Sequence, residues 1–291
     1  MAKFTATFFV LCVGVLCLEV ALACNCKVKH PQTQYKEAKF VVKAKVLSKY
    51  RNQEEQSSYA ISFLEYEVQI IKIFKGRRIL TSPTVSMFTP EGHSCAIKSM
   101  KPSKNYLISG HIEEGRLTLN VCSWVEEWST LTKEQKKGLK SKYATYCKKC
   151  DVPSVSGPEL VMALIDPRAP RPIETEPKLV SLSGLWTSEP GSCTFNPVDS
   201  WQFPTMDCET QYTYCSDNAR DNCGWEINNK YKDCFVDRET AWAKKEIRRV
   251  TVEGRSGFRF EGGWFSCLSV EDAEFDDCVR DEVEKFVTRY L

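Results

Sequence analysis

The sequence of 291 residues has only three histidines, and it lacks the motifs of the common hydrolases and nucleotide-binding enzymes. Neither His-Glu-x-x-His nor Gly-x-Ser-x-Gly occurs, and no glycine-rich loop suits a phosphate. Paired carboxylates such as Glu126-Glu127 are interpreted as solvent-exposed, and the acidic stretch Glu271–Asp277 does not have the spacing of a calcium loop. We therefore expect a protein that is not an enzyme and has no metal or cofactor of its own.

Long apolar runs are also scarce, because the one such run covers only Phe8–Leu18. Lys3 precedes it and Ala21-Leu22-Ala23 follows it, a small-x-small pattern typical of signal-peptide cleavage. A membrane-spanning helix needs about 20 apolar residues, so this run is too short. We expect residues 1–23 to be a signal peptide, the rest of the chain to be secreted to the extracellular space or matrix, and no membrane span.

The net charge of +2 conceals an uneven distribution of charge. Residues 24–150 carry 23 Lys and Arg against 11 Asp and Glu, whereas residues 151–291 carry 16 against 26. Two differently solvated surfaces would account for this difference, and so would attraction of the first part to polyanions of the extracellular matrix. No nucleic-acid-binding motif is present, and nucleic acid is not an expected partner.

Cysteine is abundant, with 15 residues, of which Cys12 and Cys17 fall in the predicted signal peptide. An odd number remains, so at least one thiol is expected to be free or intermolecular. Cleavage after Ala23 makes Cys24 the first mature residue, with Cys26 two positions later. A neutral α-amino group beside a carbonyl can chelate a metal, so the N-terminus itself is a candidate metal-binding group.

Residues 24–150 have the composition of a small, mainly β module. Strands are predicted at Phe40–Val46, Tyr66–Phe74, Thr84–Phe88, Tyr106–Ser109 and Leu117–Val121. Thr132 and Gln135 match a capping box that begins a helix running to about Tyr143, and a short helical turn is predicted near Pro31–Glu37. Five strands with flanking helices favour a closed five-stranded barrel of the oligonucleotide/oligosaccharide-binding (OB) type.

Three further segments complete the predicted organisation. The polar segment Leu47–Phe63 is predicted to be a hairpin loop, which either contacts a partner or is simply solvated. Residues 151–178 contain six prolines, which favours a semi-rigid linker. Residues 179–291 carry seven cysteines and predict a disulfide-rich α+β domain, with strands at Arg248–Glu253 and Phe258–Phe260 and a final helix at Val270–Tyr290.

A set of short motifs occurs along residues 24–150, one after another. The motifs are Cys24-x-Cys26, His30-Pro31-Gln32-Thr33, Phe40–Val46, Phe74-Lys75-Gly76, Phe88-Thr89-Pro90, Ser94-Cys95, Tyr106–Gly110, Cys122–Val125 with Trp128, Leu131-Thr132-x-x-Gln135-x-x-Gly138, Tyr143 and Cys147-x-x-Cys150. Together they resemble the N-terminal inhibitory domain of the tissue inhibitors of metalloproteinases, a netrin-like module. Residues 179–291 lack the cysteine spacing of that family's smaller second domain.

The resemblance implies two disulfides at the mature N-terminus, Cys24–Cys95 and Cys26–Cys122. It also implies a third bridge from Cys147 to a position that Lys36 occupies here, so that bridge cannot form. Cys147 is therefore the candidate free thiol. A redox role for Cys147 and Cys150 is disfavoured because no thioredoxin-like βαβ pattern surrounds them.

The resemblance further implies that the α-amine and carbonyl of Cys24 bind the catalytic zinc of a target metalloprotease. The residues implied to contact the protease are Cys24, Asn25, Cys26, Lys27, Gly92, His93 and Ser94. Asn25 stands where the family has Thr or Ser, and Lys27-Val28-Lys29 replaces prolines, so the target range is left open. His30 is expected to be structural. The alternative is a netrin-like matrix-binding or structural protein that does not inhibit proteases.

We predict that N-terminal sequencing of the secreted, reduced and alkylated protein reads alkylated Cys24 first and Asn25 second. The physical reason is the small-x-small pattern at Ala21 and Ala23, which suits signal peptidase. A different first residue, or a blocked one, would contradict the prediction of a free terminal amine.

Overall fold

The computed structural model describes residues 26–56, 59–91, 95–153, 191–193, 195, 207–217, 223–247, 251–252, 255–260, 263–267, 277–278, 280–285 and 288. They fall into two compact units. The first unit combines the segment that ends at Lys27 with Glu37–Leu131, and the second combines Val28–Lys36 with the chain from Thr132 onward. Each unit therefore contains pieces that are distant in sequence.

The first unit is built on a six-stranded sheet. Its strands are β1 (Phe40–Gln56), β2 (Tyr59–Lys75), β3 (Thr84–Pro90), β4 (Asn105–Glu113), β5 (Arg116–Thr118) and β6 (Val125–Glu127). The order is β1-β2-β3-β5-β4-β6, and β4 also pairs with β1. Five strands therefore form a closed circuit of pairings, in which only β3 and β5 are parallel. The prediction of a mainly β module with flanking helices is confirmed.

Alternation of apolar and polar residues explains which face of the sheet is buried. On β2, Leu64, Tyr66 and Val68 are buried, and the glutamates between them are more exposed. Successive side chains of a strand point to opposite faces, so this spacing places one face in the core. Each fully buried large apolar side chain contributes roughly 1.5–3 kcal/mol.

The β4–β5 hairpin follows from its two turn residues. Glu113 pairs with Arg116, so the loop consists of Glu114 and Gly115 alone. Both have positive φ, at 50° and 77°. A two-residue turn with two positive φ values is the type I′ geometry, which matches the twist of the strands. β5 ends at Thr118, earlier than the predicted Val121, and β6 was not predicted.

The segment Leu47–Phe63 is not the predicted loop. The pairing of β1 with β2 continues through it, from Lys49 opposite Tyr66 to Gln56 opposite Tyr59. Polar composition suggested a loop, but Tyr59, Ile61 and Phe63 alternate in the manner of a strand. The two long strands thus form an extended ribbon.

The predicted short helix is present as α1 (Pro31–Glu37), and all of it except Glu37 belongs to the second unit. The capping box is also confirmed at the start of α2 (Lys133–Lys137). The Gln135 backbone N–H donates to the Thr132 hydroxyl at 3.1 Å, and the Thr132 N–H donates to the Gln135 side-chain oxygen at 2.9 Å. A π-helical turn (Gly138–Lys142) and α3 (Tyr143–Tyr146) follow directly.

Gly138 is required at the start of the π-helical turn because the Tyr143 ring fills the space beside it. A Cβ atom at position 138 would lie 2.3 Å from Tyr143 Cζ, far inside van der Waals contact. Tyr143 is fully buried. The glycine therefore permits the helix to pack closely on the Tyr143 ring.

The remaining described elements belong to the same unit. They are α4 (Cys208–Tyr212), β7 (Cys215–Asp217), β8 (Cys223–Trp225), α5 (Asn229–Ile247), β9 (Thr251–Val252), β10 (Arg255–Phe260) and β11 (Gly263–Cys267). Helix α5 was not predicted, although Tyr231, Cys234 and Phe235 are buried at helical spacing. The described positions between 277 and 288 are helical, within the predicted final helix. Most of the predicted linker lies outside the described residues.

Three disulfides of the second unit join pairs of described cysteines: Cys150–Cys223, Cys193–Cys215 and Cys208–Cys234. Cys278 is also disulfide-bonded. The three pairs lie in one core with aromatic side chains, including Phe195, Trp225 and Tyr231. Such cross-links stabilise small disulfide-rich folds whose apolar cores are limited. Among the helices that the structure describes, none has the length and apolar content needed to cross a membrane.

We predict that Gly138→Ala lowers the free energy of unfolding by about 1–3 kcal/mol, the usual cost of overpacking a core. Alanine normally stabilises a helix relative to glycine by about 0.5–1 kcal/mol, so packing reverses the sign. Urea unfolding measures the change, and the exposed Ser141→Ala is the matched control.

The same substitution made in a Tyr143→Leu background should cost less, because the clashing ring atoms are gone. An equal cost in both backgrounds would show that the ring is not the reason for the glycine.

Candidate functional site

The residues predicted to contact a protease are only partly within the described chain. Cys26 and Lys27 are described, and Lys27 is exposed. Cys24, Asn25, Gly92, His93 and Ser94 lie outside the described residues. What the structure does describe is the part of the first unit to which the N-terminal segment is attached.

A disulfide joins Cys26 to Cys122, the pairing implied by the resemblance, with 5.3 Å between the two Cα atoms. It closes a loop of 96 residues. In the chain-entropy account, a loop of that length is worth about 4–5 kcal/mol of stability. Cys95 is also disulfide-bonded, and its predicted partner Cys24 lies outside the described residues.

Cys95 and Cys122 lie on neighbouring segments. The Val121 backbone N–H donates to the Cys95 carbonyl at 2.8 Å. Two residues after Cys95, the Ile97 N–H donates to the buried Thr89 hydroxyl at 3.1 Å. The two cysteines that are expected to hold the terminus are thus brought side by side by backbone hydrogen bonds.

The segment that carries Cys122 is fixed against strands β3 and β4. The Leu119 N–H donates to the Phe88 carbonyl at 2.7 Å. Trp124 and Ser109 are joined by two bonds: the Trp124 N–H donates to the Ser109 hydroxyl at 2.8 Å, and the Ser109 N–H donates to the Trp124 carbonyl at 2.9 Å. Buried backbone groups satisfied in this way resist local opening. The anchor of the N-terminal segment is therefore part of the sheet's hydrogen-bonded framework.

The chain directly before residues 92–94 is attached to the β1–β2 ribbon through Glu91. The Glu91 N–H donates to the Ser62 carbonyl at 2.7 Å, and the Glu91 carboxylate pairs with Arg51 at 2.6 Å. Because the Arg51 side chain is 70% exposed, this ion pair contributes at most about 1 kcal/mol. The backbone bond is the more important of the two.

Cys147 has a free thiol and is buried. Lys36, at the position where the resemblance implies a missing cysteine, forms an exposed ion pair with Asp151 instead. Tyr35, which directly precedes Lys36, packs on Tyr143, with ring centroids 6.0 Å apart. Burial raises the pKa of Tyr35, and the Cys147 sulfur adds to that rise. The thiol therefore lies in a packed interior.

His30 is structural, as expected from its neighbour Pro31. Its side chain is fully buried, its Nδ1 accepts the Gln32 N–H at 3.1 Å, and its Nε2 lies 3.0 Å from the Glu209 carbonyl. With Nδ1 accepting, Nε2 carries the proton and donates. Burial lowers the pKa of His30 to about 4, although hydrogen bonding to Glu209 opposes the shift. The ring is therefore neutral at physiological pH.

Glu209 and Arg238 form a buried ion pair that sequence reasoning missed. The two guanidinium nitrogens bind the two carboxylate oxygens, at 2.5 and 2.8 Å, and the Tyr231 hydroxyl donates to the same carboxylate at 3.2 Å. Burial raises the pKa of Glu209, but Arg238, a backbone hydrogen bond and the Tyr231 hydroxyl together lower it more, so the net pKa is below its usual value. A lone acidic residue in α4 gave no sequence signal for this network.

One cluster of sulfur atoms has the spacing of a metal site but not its chemistry. The Sγ atoms of Cys150, Cys215 and Cys223 all lie within 4.8 Å of one another. All three belong to disulfides, and disulfide sulfur has no thiolate to offer a metal. We therefore assign the cluster to the core.

Comparison with known proteins relates the chain to one family. A sequence model described as tissue inhibitor of metalloproteinase matches residues 22–164. Metalloproteinase inhibitor 3 of Gallus gallus is 33% identical over 130 residues, covering 44% of this chain and 58% of the relative. Metalloproteinase inhibitor 2 of Homo sapiens is 31% identical over 150 residues, covering 47% and 65%. The corresponding inhibitor of Cavia porcellus is 31% identical over 156 residues, covering 49% and 68%.

These matches cover about half of this chain and 58% to 68% of the relatives' own lengths. The matched region of the family model ends at residue 164. It includes the six strands and the helices up to α3, and it does not reach α4 or α5.

We predict that the free energy of unfolding decreases as the pH falls from about 6.5 to about 4, through His30. In that range the unfolded chain binds a proton that the folded chain does not, so acid favours unfolding. The full loss approaches about 3 kcal/mol for the shift involved. Urea unfolding at several pH values measures it.

In the His30→Gln variant, the free energy of unfolding should change less over this pH range, when it is expressed relative to its own value at pH 7.5. An unchanged slope in the His30 variant would contradict the assignment.

Proposed function

We propose that this chain, which belongs to the tissue inhibitor of metalloproteinase family, is a secreted inhibitor of zinc metalloproteases. The proposed inhibitory part is a netrin-like domain over residues 24–150, with its strand circuit as an OB-type barrel. A proline-rich linker at 151–178 and a disulfide-rich domain at 179–291 follow it. Members of the family are protease inhibitors and are not themselves enzymes. The partners that we propose are zinc metalloproteases, and the protein needs no cofactor of its own.

The observation that carries this proposal is the anchoring of the N-terminal segment. Cys26 is bonded to Cys122, and the segment bearing Cys122 is hydrogen-bonded to Cys95, which is itself in a disulfide. A terminus held in this way binds a cleft without a further cost for ordering its backbone. This arrangement is what an inhibitor that works through its chain end requires.

The chemistry follows from the open coordination position of a catalytic zinc. In a metalloprotease that position holds the water that attacks the substrate. In the proposed complex the α-amino nitrogen and the carbonyl oxygen of Cys24 replace this water. An α-amino group has a pKa of about 8, so its neutral form is available near neutral pH.

Asn25 and Lys27 are the residues on which selectivity would depend. The side chain at position 25 would enter the main specificity pocket of the protease. An amide there has to find hydrogen-bond partners or lose about 1–3 kcal/mol, and each 1.4 kcal/mol changes affinity tenfold. Lys27 is exposed and would add positive charge at the same edge. We therefore propose a target range that differs from that of family members with Thr or Ser at this position.

We predict that adding one alanine before Cys24 reduces inhibition of a sensitive metalloprotease by at least about 100-fold, equivalent to roughly 3 kcal/mol. The extension moves the amine away from the metal and replaces it with an amide, which is a poor zinc ligand. Titration of the recombinant mature chain against a panel of matrix metalloproteases measures the change.

Removal of the added alanine by an aminopeptidase is the matched control, and it should restore inhibition. Equal inhibition by the extended protein would refute chelation while leaving inhibition intact. No inhibition of any protease at micromolar concentration by the unextended chain would instead favour a matrix-binding protein that has lost the inhibitory function.

A further inference from the structure

The outer part of strand β1 has one edge that pairs with no other strand in the part of the chain that the structure describes. Strand β4 pairs with β1 only from Phe40 to Lys45. The Lys104 carbonyl and the Ser103 N–H bind Val46 just beyond that point. From Ser48 to Gln56, the described partner of β1 is β2. Such an edge presents backbone N–H and C=O groups with which a further strand can pair.

This edge is long and regular. The sequence has no proline between Ser48 and Gln56. The pairing of β1 with β2 shifts its register between Val46 and Ser48, and from there to Gln56 it continues without a further shift. The stretch is therefore not bent by a bulge, which is a common protection of an open edge. A two-stranded ribbon is only marginally stable in water, and further strands stabilise it.

The charged residues of this edge have both signs, and the two signs are separated along the strand. Lys49 and Arg51 come first, and Glu54 and Glu55 follow toward the outer end of the ribbon. If two copies of the strand pair antiparallel about Asn52, Lys49 of each copy lies directly opposite Glu55 of the other. Opposite charges at directly paired positions stabilise a sheet, and like charges destabilise it. The edge is therefore complementary to a reversed copy of itself.

Within one copy, the ribbon does not provide these charge pairs. The residue opposite Lys49 in β2 is Tyr66, and the residue opposite Glu55 is Ala60. The Lys49 ammonium lies 5.4 Å from the centroid of the Tyr66 ring and donates to the Lys98 carbonyl at 3.1 Å, in an exposed hydrogen bond. Neither contact is with a carboxylate. A carboxylate across the open edge would therefore give Lys49 a pairing that its own ribbon does not.

We propose that this edge of β1 pairs with the same edge of a second copy of the chain, in a symmetric dimer whose twofold axis passes near Asn52. The two ribbons then form one four-stranded antiparallel sheet, with the two β1 strands at its centre. In such a contact each favourable pair occurs twice. Main-chain hydrogen bonds provide affinity, and the cross-strand charges select the register. The proposal does not depend on protease inhibition.

The first test measures the dissociation constant of the dimer by sedimentation equilibrium of the full-length secreted chain. Lys49→Glu alone and Glu55→Lys alone each place like charges opposite one another at two symmetric positions. Either substitution should therefore weaken dimerisation by at least about tenfold. The double variant restores opposite charges and should dimerise within about threefold of the unaltered protein.

Arg77→Glu is the control, because it makes the same change of charge as Lys49→Glu at an exposed position outside the edge. It should leave the dissociation constant unchanged. An unaltered protein that stays monomeric at every concentration tested would overturn the proposal. A double variant that dimerises as weakly as the two single variants would overturn it as well.

Cysteine cross-linking is a second test, and it locates the axis without changing the charged residues. Asn52→Cys places a thiol opposite its own symmetry mate, with about 4.5–5.5 Å between the two Cα atoms, a distance that suits a disulfide. Mild oxidation should then give a covalent dimer on a non-reducing gel. Gln69→Cys is the matched control, since Gln69 is exposed but its strand is paired on both sides, with Lys45 and Thr84. Equal cross-linking of the two variants, or none of the Asn52 variant, would overturn the proposal.

Discussion

The covalent tie between Cys26 and Cys122 is the constraint on which the proposed function depends. Ordering a free chain end costs roughly 1–2 kcal/mol per residue, and that cost would fall on every binding event. Here it falls on folding, because Cys122 lies in a segment that hydrogen-bonds to β3 and β4. The sheet, through its closed circuit of strand pairings, provides a rigid base for residues that precede it in sequence.

The second unit has charged side chains both in its interior and on its surface. Glu209 and Arg238 are buried, and each charged group has a partner, with Tyr231 and His30 completing the network. Removal of one member of such a pair leaves an uncompensated buried charge, which costs about 3–5 kcal/mol. The lysines of α2 are instead gathered on the surface.

Local patterns were predictable because their causes are local. The capping box at Thr132 and helix α1 each depend on a few neighbouring residues, and each appears as predicted. The ribbon at Leu47–Phe63 was missed because composition was given more weight than alternation. Helix α5 was missed because its apolar positions are few and one buried position is Arg238.

The sequence by itself determined the family and the placement of Cys24 behind a predicted signal peptide, and its resemblance to that family implied that Cys147 has no bridge partner. These are matters of residue identity and order. Only the tertiary structure decided that β3 pairs with β5, that Cys150 bonds to Cys223 and that His30 meets the backbone of Glu209, 179 residues away. Contacts over such distances depend on how whole elements pack, and no local pattern of residues encodes that packing.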